Sequence, residues 1–106
     1  MAIYAFDFDG SLDYKVLQRL AIKLRKEKNE IWIVTARRDN EYNRKAIQPV
    51  LDSLALTHQN IIYCGNQPKY EMLQIINADI YIDNITDEFE NIINHTNTIP
   101  LLFNYL

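Results

Sequence analysis

Two carboxylates separated by one residue, Asp7 and Asp9, directly follow the short apolar run Ala2–Phe6 and lead into Gly10 and Ser11. On an extended strand, residues i and i+2 project to the same face. Unaided, the two acids repel and one of them holds its proton to higher pH. A divalent cation removes that conflict, and hard Mg²⁺ takes oxygen ligands of this kind. Three other segments end in comparable chemistry. Ile31–Val34 runs into Thr35-Ala36-Arg37-Arg38, Ile61–Cys64 into Gly65 and then Pro68-Lys69, and Asp79–Asp83 into Asn84, with Asp87 close behind. One acid in such a place would read as a polar turn. Three acids at two run ends, beside a lysine and a hydroxyl, point instead to a site with Asp83 as its third carboxylate.

The elements that must position these residues alternate regularly. Apolar residues Leu17, Leu20, Ala21 and Leu24 recur at helical spacing between Tyr14 and about Lys26. A second helix is expected from about Asn40 to Leu54, with Tyr42, Ala46, Ile47, Val50, Leu51 and Leu54 as its stripe. Pro49 is expected to kink or divide it. Pro68 opens a third helix running to about Asn77. Thr86 is the expected cap of a fourth, ending near Asn94. A last strand, Thr98–Phe103, carries Pro100 and therefore belongs at a sheet edge. Strands apolar on both faces, alternating with amphipathic helices, give an α/β fold: a five-stranded parallel, doubly wound sheet in a three-layer sandwich. Ligands of such sheets bind beyond the carboxyl ends of the strands, where the acids, the hydroxyl, Lys69 and the arginines fall.

Composition narrows the function. A chain of 106 residues is read as one domain, 1–106. Eleven basic against fourteen acidic residues leave a net charge of -3, without the sequence-wide basic field of a nucleic-acid binder. The one cysteine, Cys64, excludes an internal disulfide and cysteine-based zinc sites. The two glycines, Gly10 and Gly65, are too few for a Walker loop or a dinucleotide fingerprint. The start of the chain does not read as a signal peptide, and no apolar run approaches the roughly 20 residues of a membrane span. The expectation is a cytoplasmic protein with no membrane partner.

Ala5-Phe6-Asp7-Phe8-Asp9-Gly10-Ser11 resembles the first motif, DxDG[TS], of the haloacid dehalogenase-like (HAD) superfamily. Thr35, Lys69 and Asp83 resemble its second, third and fourth motifs, in the same order, so the resemblance covers essentially the whole chain. It implies sheet order 5-4-1-2-3 and a Mg²⁺-dependent phosphatase acting through an aspartyl-phosphate. Asp7 would be the nucleophile, and Asp9 the acid and then the base. Thr35 and Lys69 would hold the phosphoryl group, and Gly10, Ser11, Ala36 and Arg37 would lie around the substrate. Mg²⁺ would be held by Asp7, Asp9 through its backbone carbonyl, and Asp83.

The chain departs from that pattern in three ways. Asn84 stands where relatives of this size often carry a second acid, with Asp87 as a substitute and Asp79 at the wrong end of its strand. There is no room for a cap domain, since only Leu12 and Asp13 separate Ser11 from the first helix. A capless site implies either a macromolecular phosphate as substrate or a neighbouring copy as lid, hence an expected homo-oligomer. Specificity residues are few: Arg37, Arg38 and Arg44 follow the second strand, and Arg44 reads equally as solvated surface. His58 and His95 are expected on the surface, and Trp32 and Cys64 in the core. Two rivals stand beside the phosphatase. One is a non-enzymatic HAD-fold binding or regulatory module. The other is a receiver-like phosphoacceptor, disfavoured because the third strand ends in Cys64-Gly65 and not in an acid.

Overall fold

Ile3–Phe6 (β1) lies at the middle of a parallel sheet because both its faces are apolar and both become covered. In the computed structural model, which describes residues 1–104, the remaining elements follow in strict alternation. They are Lys15–Lys26 (α1), Glu30–Thr35 (β2), Glu41–Leu54 (α2), Ile61–Tyr63 (β3), Lys69–Ile76 (α3), Ile80–Asp83 (β4), Phe89–His95 (α4) and Ile99–Leu102 (β5). The strands are arranged β3-β2-β1-β4-β5, which reads 5-4-1-2-3 from the opposite edge, and every pairing is parallel. Pro100 falls in an edge strand, where its missing N–H costs least.

Two apolar clusters divide the core by sheet face. Phe6, Ile33 and Ile82 pack with Leu17 and Ala21 of α1 and with Ile47, Val50, Leu51 and Leu54 of α2. Ala5, Val34 and Tyr81 pack with Leu73 of α3 and Ile92 of α4. Since side chains alternate along a strand, Asp7 and Asp83 continue the face of Ala5 and Tyr81. The register aligns Phe6 with Ile82, and the Asp7 amide donates to the Ile82 carbonyl at 2.9 Å, which brings Asp7 beside Asp83. No helix among the described residues is long and apolar enough to cross a membrane.

Several expected details are corrected. α2 runs unbroken through Pro49. Pro49 and Lys45 lie on the exposed face, where water can serve the Lys45 carbonyl that Pro49 cannot, while the buried stripe anchors the helix on either side. Tyr42 and Ala46 are exposed and leave that stripe to Ile47, Val50, Leu51 and Leu54. On α1, Leu20 is left 37% exposed and Gln18 is buried instead, its amide donating to the Leu12 carbonyl at 3.0 Å. Thr86 does not cap α4. Its carbonyl closes a turn with the Phe89 amide at 3.0 Å, and the helix starts only there. Trp32 is half-buried, with its indole nitrogen donating to Glu30 at 2.7 Å.

Candidate functional site

Lys69, the first residue of α3, directs its side chain inward and is almost fully buried. Its ammonium donates to Asp7 Oδ1 at 2.6 Å and to the Tyr81 hydroxyl at 2.7 Å, and it approaches Asp83 Oδ2 at 3.4 Å. The Tyr81 hydroxyl in turn donates to Asp83 Oδ2. Asp83 Oδ1 accepts from the Ile85 amide at 3.1 Å. Two buried carboxylates thus share one ammonium. Burial pushes the Asp7 carboxyl up to about 6; Lys69 opposes the rise, and the nearby Asp83 adds to it. Burial pulls the Lys69 ammonium down, but Asp7, Asp83 and Glu88 outweigh it, so Lys69 titrates above its ordinary value and stays charged. Burial, then Asp83 and Asp7, raise the Tyr81 phenol, which remains protonated.

The turn 8–12 after β1 brings further oxygens to the same spot. Gly10 takes a left-handed φ of 78°, and a Cβ there would come within 2.3 Å of the Asn84 carboxamide. With its nitrogen turned toward the surrounding oxygens, that carboxamide donates to Asp83 Oδ1 at 3.1 Å, Asp7 Oδ2 at 3.2 Å, the Asp9 carbonyl at 3.0 Å and Ser11 Oγ at 3.2 Å. Ser11 is fully buried.

The Asp9 side chain points elsewhere. Arg37 grips it with two bonds, Nε to Oδ2 at 2.9 Å and Nη2 to Oδ1 at 2.8 Å. Arg37 is itself positioned by Asn43, at 2.9 Å from Nη1, and by the Phe8 ring under its guanidinium. The Arg37 hydrogen bonds hold the Asp9 carboxyl below its ordinary value. A general acid needs the opposite shift, so the clamped Asp9 carboxyl is not poised to donate a proton. Thr35 is fully buried at the end of β2, and its hydroxyl accepts from the Arg37 amide at 3.2 Å.

These groups open into a cleft of about 250 Å³ lined by Asp7, Asp9, Ala36, Lys69, Asp83, Ile85, Asp87 and Glu88. A larger depression of about 690 Å³ includes Arg25, Lys28 and Asn29, at the amino-terminal end of the sheet and away from the acids. Arg44 is paired with Asp39 at 2.6 Å on the surface, in keeping with a solvated role. His58 bonds Gln48 at 3.0 Å and His95 stacks on Tyr70, both away from the cleft. Cys64 is buried, and burial pushes its thiol up to about 11, which suits a small core residue.

Sequence reasoning missed Tyr81 and Glu88. Tyr81 stands two residues before Asp83 and therefore on its face of β4, a spacing visible in the sequence. Glu88 accepts from the Lys69 backbone amide at 2.8 Å and so tethers the start of α3; nothing local in the sequence signals that contact.

Among the described residues there is no group of three His, Cys, Asp or Glu side chains placed to hold a metal ion. The oxygen set that does converge is two carboxylates, one backbone carbonyl and one hydroxyl, all about the Asn84 nitrogen. Hard oxygen donors of this kind suit Mg²⁺, which accepts few protein ligands and keeps waters for the rest. No protein-family model matches the chain, and no curated protein is similar enough to count as a relative.

Proposed function

We propose that this protein is a HAD-like, Mg²⁺-dependent phosphatase that hydrolyses a phosphate monoester through an aspartyl-phosphate on Asp7. The observation that carries the reading is the convergence of Asp7, Asp83, the Asp9 carbonyl and Ser11 on one point, with Lys69 bonded to Asp7 at 2.6 Å behind it. The order of the motif residues along the chain supports it as well. Bound among those oxygens, Mg²⁺ would neutralise charge on the carboxylates and on the phosphoryl group.

The chain's own residues supply the rest. Asp7 attacks phosphorus as the carboxylate, and the bond to the leaving oxygen breaks. Asp9, released from Arg37 and protonated, gives its proton to that oxygen. It then takes a proton from the water that attacks the phosphorus of the intermediate, which returns Asp7 as the carboxylate and frees inorganic phosphate. Lys69 holds charge throughout, as phosphoryl transfer requires. Arg37 stands at the edge of the cleft, where it can exchange Asp9 for an oxygen of the substrate.

The clamp on Asp9 favours a second reading, a binding or regulatory module with little turnover. Hydrolysis of a generic aryl phosphate with and without Mg²⁺, in wild type and Asp7→Asn, separates the two. The phosphatase reading expects Mg²⁺-dependent phosphate release that the variant lacks. Full activity in Asp7→Asn refutes the nucleophile, and no release above the variant points to a specific macromolecular substrate or to the module.

A further inference from the structure

We propose that the Asn84 carboxamide is a resident stand-in for the cation: it occupies the cation's place in the metal-free protein and must withdraw before Mg²⁺ enters. The proposal rests on reading this oxygen cage as a cation site. Four oxygens from four residues, on β4, at the end of β1 and in the turn that follows it, lie between 3.0 and 3.2 Å from one nitrogen. An amide nitrogen carries two hydrogens, so it cannot serve all four acceptors well. The cage is over-supplied with oxygen for an amide and suitably supplied for an ion. The amide is also neutral, so the charge that the two carboxylates meet in its presence is that of Lys69, at 2.6 Å from Asp7 and 3.4 Å from Asp83.

Occupancy by amide and by cation is mutually exclusive. Mg²⁺ sits about 2.1 Å from its oxygen ligands. An ion held by the Asp7, Asp83 and Asp9 oxygens on the side that the nitrogen now fills would therefore lie inside the van der Waals envelope of that nitrogen, only 3.0–3.2 Å from the same atoms. The amide has somewhere to go. A depression of about 130 Å³, lined by Gly10, Tyr14, Asn84, Phe103 and Asn104, adjoins it outside the cleft. Gly10 leaves the carboxamide in place, since any side chain there would strike it. Asn84 thus stabilises the empty site and weakens the affinity of that site for metal by the same contacts.

The test is titration of metal-stripped wild type and Asn84→Ala with Mg²⁺ by calorimetry, alongside thermal unfolding of both without metal. Asn84→Ala is expected to bind Mg²⁺ about tenfold more tightly, the equivalent of one net hydrogen bond to a charged group no longer broken on binding. It is also expected to melt lower than wild type when metal-free. Equal or weaker binding overturns the proposal, weaker binding marking Asn84 as a ligand through its oxygen. Should the variant not fold, the assigned side-chain amide resonances of Asn84 in the wild type decide. They are expected to move toward free-carboxamide positions as Mg²⁺ saturates, and resonances that stay put while Mg²⁺ binds overturn it. If neither protein binds Mg²⁺, the cation site itself is refuted and this proposal with it. Phosphate hydrolysis enters none of these readouts, so a failed phosphatase reading is told apart.

Discussion

Replacing Asp7 by asparagine tests the energetics of the site without any assumption about substrate. Folding postpones ionisation of the Asp7 carboxyl from 3.8 to about 6, chiefly because the group is buried. At low pH both the folded and the unfolded chain keep that proton, and the residue costs nothing. As pH rises through the ordinary carboxylate value, the unfolded chain releases its proton first, which favours unfolding, until the folded group follows. Above that point the ionised, buried carboxylate costs the native state about 3 kcal/mol, of which roughly 2 kcal/mol develops between about pH 4 and about pH 8. Asparagine has no such cost. Its oxygen can accept from Lys69 in place of Oδ1, and Asn84 can turn its own oxygen to meet the new amide nitrogen. Denaturant unfolding of the metal-free proteins at both pH values should show the stability of Asp7→Asn gaining on wild type by roughly 2 kcal/mol as pH rises. Saturating Mg²⁺ should narrow the gap at the higher pH by stabilising the wild type. A gap that does not change with pH, or that moves in favour of the wild type, refutes the account of Asp7 as a carboxylate strained by burial.

Other perturbations report on the supports of the site. Tyr81→Phe removes the hydroxyl between Lys69 and Asp83, leaves buried polar atoms short of a partner, and should cost about 1–3 kcal/mol in denaturant unfolding; a neutral result would show that the bridge carries no energy. Arg37→Ala breaks a half-exposed pair and should cost less than about 1 kcal/mol, while the Asp9 carboxyl, followed by NMR, titrates at higher pH; an unmoved titration would mean that Arg37 does not set it. Pro49→Ala restores an N–H to the Lys45 carbonyl within α2 and should raise stability by up to about 3 kcal/mol, and a loss would show that the ring's own packing matters more.

The alternation of elements was legible because strand and helix have different apolar periods and because the strands are apolar on both faces. Pro100 even marked its strand as an edge. What the pattern did not carry was solvent exposure along individual helices. Leu20, Tyr42 and Ala46 have the right spacing for a buried face, but α1 and α2 each cover only part of the sheet, so residues at the margin of the stripe stay wet. At the site, strand-end position was enough to bring Asp7, Lys69 and Asp83 together. It could not show which way each side chain turns. Asp9 follows Asp7 by two residues, yet the chain leaves the strand at once into the turn 8–12, so the two carboxylates part and Asp9 meets Arg37 instead. Asn84 read as a missing charge, although its place in the site is that of a donor.

Charge decides how the cleft can meet an anion. Asp7, Asp9, Asp83, Asp87 and Glu88 line it with Lys69 as the one lining cation among the described residues, and Lys69 already serves two of those acids. A phosphate dianion brought to such a surface is repelled at short range, where the low-dielectric walls magnify every charge. Arg37 at the edge offers attraction only by giving up Asp9, which returns one more negative charge to the cleft. On the proposed reading, then, the cation is needed before substrate as well as during chemistry, and the order of binding is metal first. Asn84 makes that order conditional. As long as its amide fills the oxygen cage, the cleft is uncompensated and should turn phosphate away, and only expulsion of the amide by Mg²⁺ converts it into a receptor. Phosphate binding measured without Mg²⁺ should therefore be undetectable in the wild type and should appear in step with occupancy of the metal; phosphate that binds equally well without metal would show that Lys69 and Arg37 suffice, and would remove the electrostatic case for the cation.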